Sequence, residues 1–424
     1  MTRRKQLSQP YDQPASNSET GATATAGHLF KLIRDLGPLS ASELARQTGL
    51  AKSTVSVNLD RLLESGLVRE EEKPGSKRKN LKVAENAGYV AGVDIGQTHL
   101  AVGLCDLEAA AVSFYRTPIN LVQEAPERLL AQVADLIDEQ IVHTGRNRAD
   151  LFGIGVGVPG PVDFLRGIPV SPPVMPGWDR FPMASFLAGR FSCPVFVDND
   201  VNVMALGERD RGVAHETENF LFIKVGSGIG GGLVVHGEIY RGAKGAAGDI
   251  GHIGLDGDET PCPCGNKGCL EVVAGAEAVL RKANAAARSG QSPFLSESLS
   301  GGRSLDITSL AVGASAGDEV CVRLMMDSGK AVGTVLAKLV NFFNPSMIVL
   351  GGRSANWGER YIASIREAIY RRSTPLATAD LVIKKSLLGE ECGVIGAAVL
   401  ALDEILSRRN VSRIVGGTTN AKKT

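Results

Sequence analysis

A chain of 424 residues is long for one hydrophobic core, so two or three domains are the natural expectation. Hydrophobic residues make up 43% and charged residues 22%, the mixture of an ordinary soluble globular protein, with a formal net charge of zero. No uninterrupted apolar run approaches the roughly 20 residues of a membrane span, and seven Cys behind no charged-then-apolar leader point to a reducing cytoplasm.

Residues 1–25 are polar, with Arg3, Arg4 and Lys5 together, and bury too little apolar area to order themselves; a disordered tail that touches phosphates is expected. Residues 1–85 carry 14 Lys/Arg against 10 Asp/Glu, a mildly basic piece on a mildly acidic body. From Gly27 the spacing of Leu29, Phe30, Ile33 and Leu36 predicts an amphipathic helix stopped by Gly37-Pro38. Ser40 caps a second helix, with Glu43 completing a capping box, and Gly49 breaks the chain. A third helix, Ser53 to Ser65, turns Val55, Leu59, Leu62 and Leu63 inward and exposes Lys52, Ser53, Thr54, Ser56, Asn58 and Arg61. Those side chains suit a major groove, and three helices with a Gly turn make a helix-turn-helix. Two strands then flank Pro74-Gly75, whose tip carries Lys77, Arg78 and Lys79; this is a wing with phosphate-gripping charge. Operator DNA is the expected partner of residues 26–85, against the blander reading of a helical protein-interaction module.

After Gly88 three successive strands, a helix near Ala125–Thr144, a strand in LFGIGVGVPGPVD and a strand, polar corner and helix in CPVFVDNDVNVMALGER follow. A second series opens with NFLFIKVGSGIGGGLVV and runs through a long helix, about Val320–Phe343, the strand MIVLGG, another helix and LVIKKSLL. Two similar α/β lobes, 89–200 and 201–406, with a cleft between them are expected, then a flexible tail at 407–424. Three glycine turns bear on nucleotide: Asp94 and Gly96 in DIG, Gly228, Gly230 and Gly231 in GSGIGGG, and Gly351-Gly352. At the polar corner Asn199 and Asp200 either face a sugar hydroxyl or serve the helix, with Asp200 as the cap of a helix beginning near Val201; spacing does not separate the two.

The stretch GDIGHIGLDGDETPCPCGNKGCLE, Gly248 to Glu271, holds His252, Cys262, Cys264 and Cys269 within eighteen residues. Three thiolates and an imidazole threaded through Gly and Pro predict a closed structural Zn²⁺ site, a clamp for the flanking Asp249 and Glu271; the bland alternative is a flexible loop with free thiols.

DIGQT at Asp94, VPGPV at Val158, MPGW at Met175, DNDVNVMALGE at Asp198, GSGIGGGLV at Gly226, GAAGDIGH at Gly245 and CPCGNKGCLE at Cys262 together resemble the ROK family of sugar kinases and sugar-responsive repressors, from about Tyr89 to Leu406. With a winged helix-turn-helix in front, the chain is similar to the repressor branch. The resemblance implies an actin-like (RNase H-like) two-lobed ATPase fold, α/β, in homodimers or homotetramers. It implies that Asn199, Asp200, Asp249, His252 and Glu271 hold a sugar or sugar phosphate, that His252 also binds zinc, and that Asp200 stands where the kinases have their base. Gln97 replaces the second glycine of the family's phosphate turn, His99 follows Thr98, Arg353 interrupts a third glycine, Asp249 replaces Glu, and Val174 stands near where kinases present Asn. A side chain at Gln97 costs the close approach of phosphate, so a sensor without catalysis is expected, with an ATP-dependent sugar kinase carrying a DNA-binding appendage as the alternative.

Overall fold

The computed structural model describes residues 18–72, 79–173, 175–300, 304–353 and 357–406. The chain divides into two units, Met1–Gly88 with Asp403–Thr424, and Tyr89–Leu402. Residues 1–17 of the expected disordered tail, Lys77, Arg78, Val174 and the expected tail 407–424 lie outside the described residues.

The first unit is built as its apolar spacing dictates. Helix α1 (Ser18–Leu36) begins well before Gly27, so the end of the stretch assigned to a disordered tail is helical. It buries Leu29, Phe30 and Ile33, whereas Leu36 is 56% exposed, because Gly37 turns the chain away in the left-handed region. Helix α2 (Ala41–Thr48) carries the capping box: Ser40 Oγ accepts from the Glu43 N–H and the Glu43 carboxylate accepts from the Ser40 N–H. Gly49, at φ 67°, closes it and leads to α3 (Lys52–Glu64). Val55, Leu59 and Leu62 are buried and Leu63 is half-buried. Strands β1 (Val68–Glu72) and β2 (Lys79–Val83) pair antiparallel, and Leu39 adds a bridge to Leu81. Three helices and a hairpin sheet thus form a winged helix-turn-helix.

The second unit holds two five-stranded sheets of one topology. In the first, β3 (Tyr89–Ile95), β4 (His99–Asp106) and β5 (Ala111–Pro118) form an antiparallel meander; β6 (Leu151–Val158) and β9 (Val195–Asn199) extend it in parallel, in the order β5-β4-β3-β6-β9. Helix α4 (Pro126–Thr144), the small ribbon β7 (Val162–Asp163) with β8 (Ile168–Pro169), and α5 (Met183–Phe191) fill the connections. After α6 (Asp200–Arg211) the pattern repeats with β10 (Phe220–Val225), β11 (Ile229–Val235) and β12 (Glu238–Ile239) antiparallel and β13 (Met347–Gly351) and β14 (Val382–Lys385) parallel. Between β12 and β13 comes a long excursion through the Cys-rich loop, α7 (Leu270–Ala274), α8 (Ala276–Arg288), α9 (Pro293–Ser300), α10 (Ile307–Ser315) and α11 (Glu319–Phe343). Helices α12 (Glu359–Arg372) and α13 (Pro375–Thr378) precede β14, and α14 (Cys392–Ile405) ends the described chain. Each sheet has its own core, one around Val93, Val156 and Trp178, the other around Ile223, Leu336 and Ile348.

The two closing helices exchange sheets. Helix α14 follows the second sheet but lies on the first, so close that a Cβ at Gly92 would stand 2.0 Å from the Val394 oxygen and one at Gly155 1.7 Å from the Ala397 oxygen. Helix α6 follows the first sheet and packs on β10 and β11. The helices touch each other where a Cβ at Gly396 would meet the Val203 oxygen at 1.8 Å. The expected division into lobes 89–200 and 201–406 is therefore corrected at its end, since α14 returns to the first sheet. No helix among the described residues is long and apolar enough to cross a membrane.

Candidate functional site

A cavity of about 740 Å³ opens in the second unit, lined from β3, β9, α6, β10, the β11 turn, the Cys-rich loop and β13. It sits beyond the carboxyl ends of the parallel strands, where open α/β sheets bind ligands, and has the size of a small-molecule pocket. Asn199, Asp200, Asp249, His252 and Glu271 all line it, as do Asp94, Gly228 and Gly230.

At the polar corner the helix cap is Asn199 and not Asp200. Asn199 is the N-cap of α6: its Oδ1 accepts from the Val201 N–H at 2.9 Å and its Nδ2 donates to the Gly160 oxygen at 2.9 Å. That leaves one amide N–H for a ligand. Asp200 is the first residue of the helix and is 5% exposed. Its Oδ2 accepts from Lys224 Nζ at 2.5 Å, across from β10. Burial pushes the Lys224 ammonium down, but the Asp200 and Asp94 carboxylates outweigh it and hold the group above the ordinary lysine range. Asp198, 2% exposed, accepts from the Asn199 N–H at 2.7 Å, Asn202 Nδ2 at 3.0 Å and Arg241 Nε at 2.7 Å, which fixes the corner from behind. Neither Lys224 nor Asp198 was singled out from the sequence, because each acts on a residue whose neighbourhood only the fold creates.

The glycine turns do other work than expected. Gly230 and Gly231 lie in β11, paired with Lys224 and Ile223 of β10, and the Gly231 N–H donates to the Gly248 oxygen at 2.8 Å. A Cβ at Gly230 would stand 2.8 Å from Val201 Cγ2, and one at Gly232 2.8 Å from Ala205 Cβ. Gly230 and Gly232 let α6 lie against the sheet, and Gly231 faces Gly248 and Ile250 with its N–H already donated, so Gly231 offers no N–H to a phosphate, which corrects that reading of it. In the turn itself, the Ile229 N–H donates to Glu271 Oε2 at 3.0 Å, beside Gly228. Burial raises the Glu271 carboxyl above its usual range, opposed by that N–H. On the other side, Asp94 is 1% exposed and hydrogen-bonds His99 Nε2 at 3.1 Å, and the His99 ring occupies the space over Gly96, where a Cβ would meet Cε1 at 2.1 Å. Burial pushes the Asp94 carboxyl up, but His99, Lys224 and Arg116 together hold it below its usual range. Arg353 donates through Nη2 to Thr98 Oγ1 at 2.9 Å, from the end of the second sheet to the first turn of the first.

In the Cys-rich loop, His252 ends a single 3-10 turn, Ile250–His252, and Cys269 is the N-cap of α7, which carries Glu271. The ligand atoms of His252, Cys262, Cys264 and Cys269 all lie within 4.8 Å of one another. Cys264 Sγ and Cys269 Sγ are 3.7 Å apart, and His252 Nδ1 is 3.6 Å from Cys262 Sγ. Bonds of about 2.0–2.3 Å in a tetrahedron set edges of roughly 3.8 Å between sulfurs and 3.6 Å from nitrogen to sulfur, so the cluster fits one tetrahedral metal ion. The Asn266 backbone N–H lowers the exposed Cys264 thiol to about 7, toward the thiolate. His252 presents its other nitrogen, Nε2, to Asp249 Oδ1 at 4.0 Å. One imidazole thus faces the cluster with one edge and the cavity with the other.

In the winged unit, Lys52, Ser53, Thr54, Ser56 and Arg61 are exposed on α3, as is Val57 at 53%. Asn58 is not: it is 3% exposed and its Nδ2 donates to the Thr54 oxygen at 2.8 Å, so it is removed from the candidate base-reading set. Lys79 forms an ion pair with Glu70, and Lys82 with Glu71 at 3.0 Å, so two acids of the β1 run are paired from β2.

A winged helix-turn-helix joined to a two-sheet α/β unit of duplicated topology, with its pocket at the strand ends, defines a DNA-binding-type module on a sugar-kinase-like fold. The chain belongs to the ROK family, whose pattern matches residues 90–404; residues 22–79 match the MarR family. It is 29% identical over 385 residues to the xylose repressor of Caldicellulosiruptor bescii, covering 89% of this chain and 95% of that protein. To the glucokinase of Halalkalibacterium halodurans it is 31% identical over 313 residues, 74% of this chain and 94% of that protein. A solved ROK family transcriptional regulator, a homologue of the Escherichia coli MLC protein, superposes with a TM-score of 0.80 at 25% identity, over 93% of this chain and 99% of that one.

Proposed function

We propose that the chain is a sugar-responsive DNA-binding transcriptional repressor whose pocket binds carbohydrate without phosphorylating it. The observation that carries this reading is a helix-turn-helix with an exposed third helix, fused to a pocket whose base candidate, Asp200, is tied to Lys224. The match to a named repressor supports it, because it runs through the winged unit as well as the pocket, while the match to a glucokinase covers 74% of the chain. Asp200, Asp249, Glu271 and the Nε2 edge of His252 supply the acceptors and donors that sugar hydroxyls need, with the remaining Asn199 N–H beside them. Sugar or sugar phosphate closing on these groups shifts the chain between states of different DNA affinity. In a homodimer or homotetramer such a shift changes the spacing of two recognition helices, which half-sites tolerate poorly. Lys52, Ser53, Thr54, Ser56 and Arg61 are the proposed contacts to operator DNA.

His252 Nδ1, Cys262, Cys264 and Cys269 would hold Zn²⁺, the ion that favours this donor set in a cytoplasmic protein. Four protein ligands leave no coordination position for substrate, so the ion is structural.

The rival reading is an ATP-dependent sugar kinase. Against it, Lys224 occupies Asp200 Oδ2, His99 lies over the Gly96 turn, and Arg353 reaches Thr98 across the nucleotide side. A coupled ADP-release assay with ATP, Mg²⁺ and a panel of sugars is expected to give no sugar-dependent turnover. Rates of about 1–100 per second, the usual range for kinases, would establish the enzyme instead.

A further inference from the structure

Asp94 and Asp200 share one corner of the cavity. Asp94 pairs with Gly157 in the β3–β6 register, and a Cβ at Gly157 would lie 3.4 Å from the Asp200 Cα, so the strand between the two acids is bare of side chain. Both carboxylates are buried, at 1% and 5% exposure. Asp94 gives Oδ2 to His99, and its buried Oδ1 accepts no hydrogen bond among the described residues. Two buried acids in one corner repel each other unless a cation stands with them. The chain provides one from β10: both cross-strand neighbours of Lys224 are glycines, Gly230 and Gly351, which leaves its side chain free to reach Asp200 Oδ2 at 2.5 Å.

We infer that Lys224 is a resident counter-cation that takes the place of a divalent metal ion between Asp94 and Asp200, and so restricts the pocket to ligands that bring no metal with them. This rests on the sugar-binding reading for the ligand's class and adds its charge state: neutral polyhydroxyl groups at Asp200, without a metal-complexed polyphosphate. A divalent ion such as Mg²⁺ or Mn²⁺ demands several oxygen ligands at once. Here one of the two carboxylates is held by an ammonium that would repel the ion, while the other keeps an unused oxygen. Removing the ammonium leaves two acids and a vacancy of the right chemistry for such an ion.

The test is a Mn²⁺ titration of the zinc-loaded protein, read as the loss of the free-ion electron paramagnetic resonance signal, on wild type, K224M and the double variant K224M/D94N. The expected result is no Mn²⁺ bound by wild type, about one per chain gained by K224M, and that ion lost again in the double variant. Binding by wild type, no binding by K224M, or a gained ion that survives D94N each overturns the inference. Should K224M not yield folded protein, Lys224→Gln takes its place, with the same three readings. Melting temperatures with a panel of sugars and sugar phosphates are taken alongside. If none of them stabilises any of the proteins, the sugar-binding reading fails, while the Mn²⁺ titration still decides the role of Lys224.

Discussion

Cys269→Ser is expected to abolish metal binding at the proposed Zn²⁺ site of the ROK unit and to abolish the response to sugar while leaving operator binding in place. Cys269 is fully buried at the N-cap position of α7, its backbone pairs with Gly254, and its sulfur donates to the His252 oxygen at 3.7 Å, so it ties the start of the Glu271 helix to the turn that carries His252. Structural Zn²⁺ sites contribute on the order of 10–16 kcal/mol of apparent binding free energy, all of it available to order the surrounding chain. A hard hydroxyl in place of a thiolate forfeits most of that. Elemental analysis should show metal falling to a small fraction of wild-type occupancy, with a lowered melting temperature and no further rise on adding sugar. Full metal occupancy in the variant would show that the ligand set is wrong.

The double change Lys52→Ala with Arg61→Ala is expected to weaken operator binding more than any change in the wing strands. Both residues are exposed on α3, outside its buried stripe. A side-chain contact to a base edge is worth about 1–3 kcal/mol, and each lost phosphate contact lowers the salt dependence by about 0.9 in the slope of log K against log salt. Lys79→Ala, by contrast, removes a cation already spent on Glu70, and should change affinity little. Fluorescence anisotropy on labelled operator at several salt concentrations separates the two. An unchanged affinity in the double variant would take α3 out of the interface.

Much of the fold was legible in local chemistry, since the capping box at Ser40–Glu43, the Gly49 stop and the two strand meanders are carried by residues near one another in the chain. Asn58 was misplaced although the signal for it was present: it stands three residues after Val55 and four before Leu62, on the apolar stripe, and its amide folds back onto the Thr54 oxygen. At the polar corner, either Asn199 or Asp200 had the chemistry to cap α6, and only the backbone path decided for Asn199. The run Gly226 to Gly232 reads as a phosphate cradle because nothing local shows that a helix will lie against Gly230 and Gly232. The pair Lys224–Asp200, 24 residues apart, and the return of α14 to the first sheet are products of topology, invisible to spacing.

The affinity for operator DNA, measured by fluorescence anisotropy in the presence of a broad panel of sugars and sugar phosphates, tests most directly whether the carbohydrate pocket governs DNA binding. At least one of them should change that affinity by about 5–150-fold, the range of a coupling free energy of about 1–3 kcal/mol between two sites. Tight operator binding that no sugar or sugar phosphate alters would contradict it.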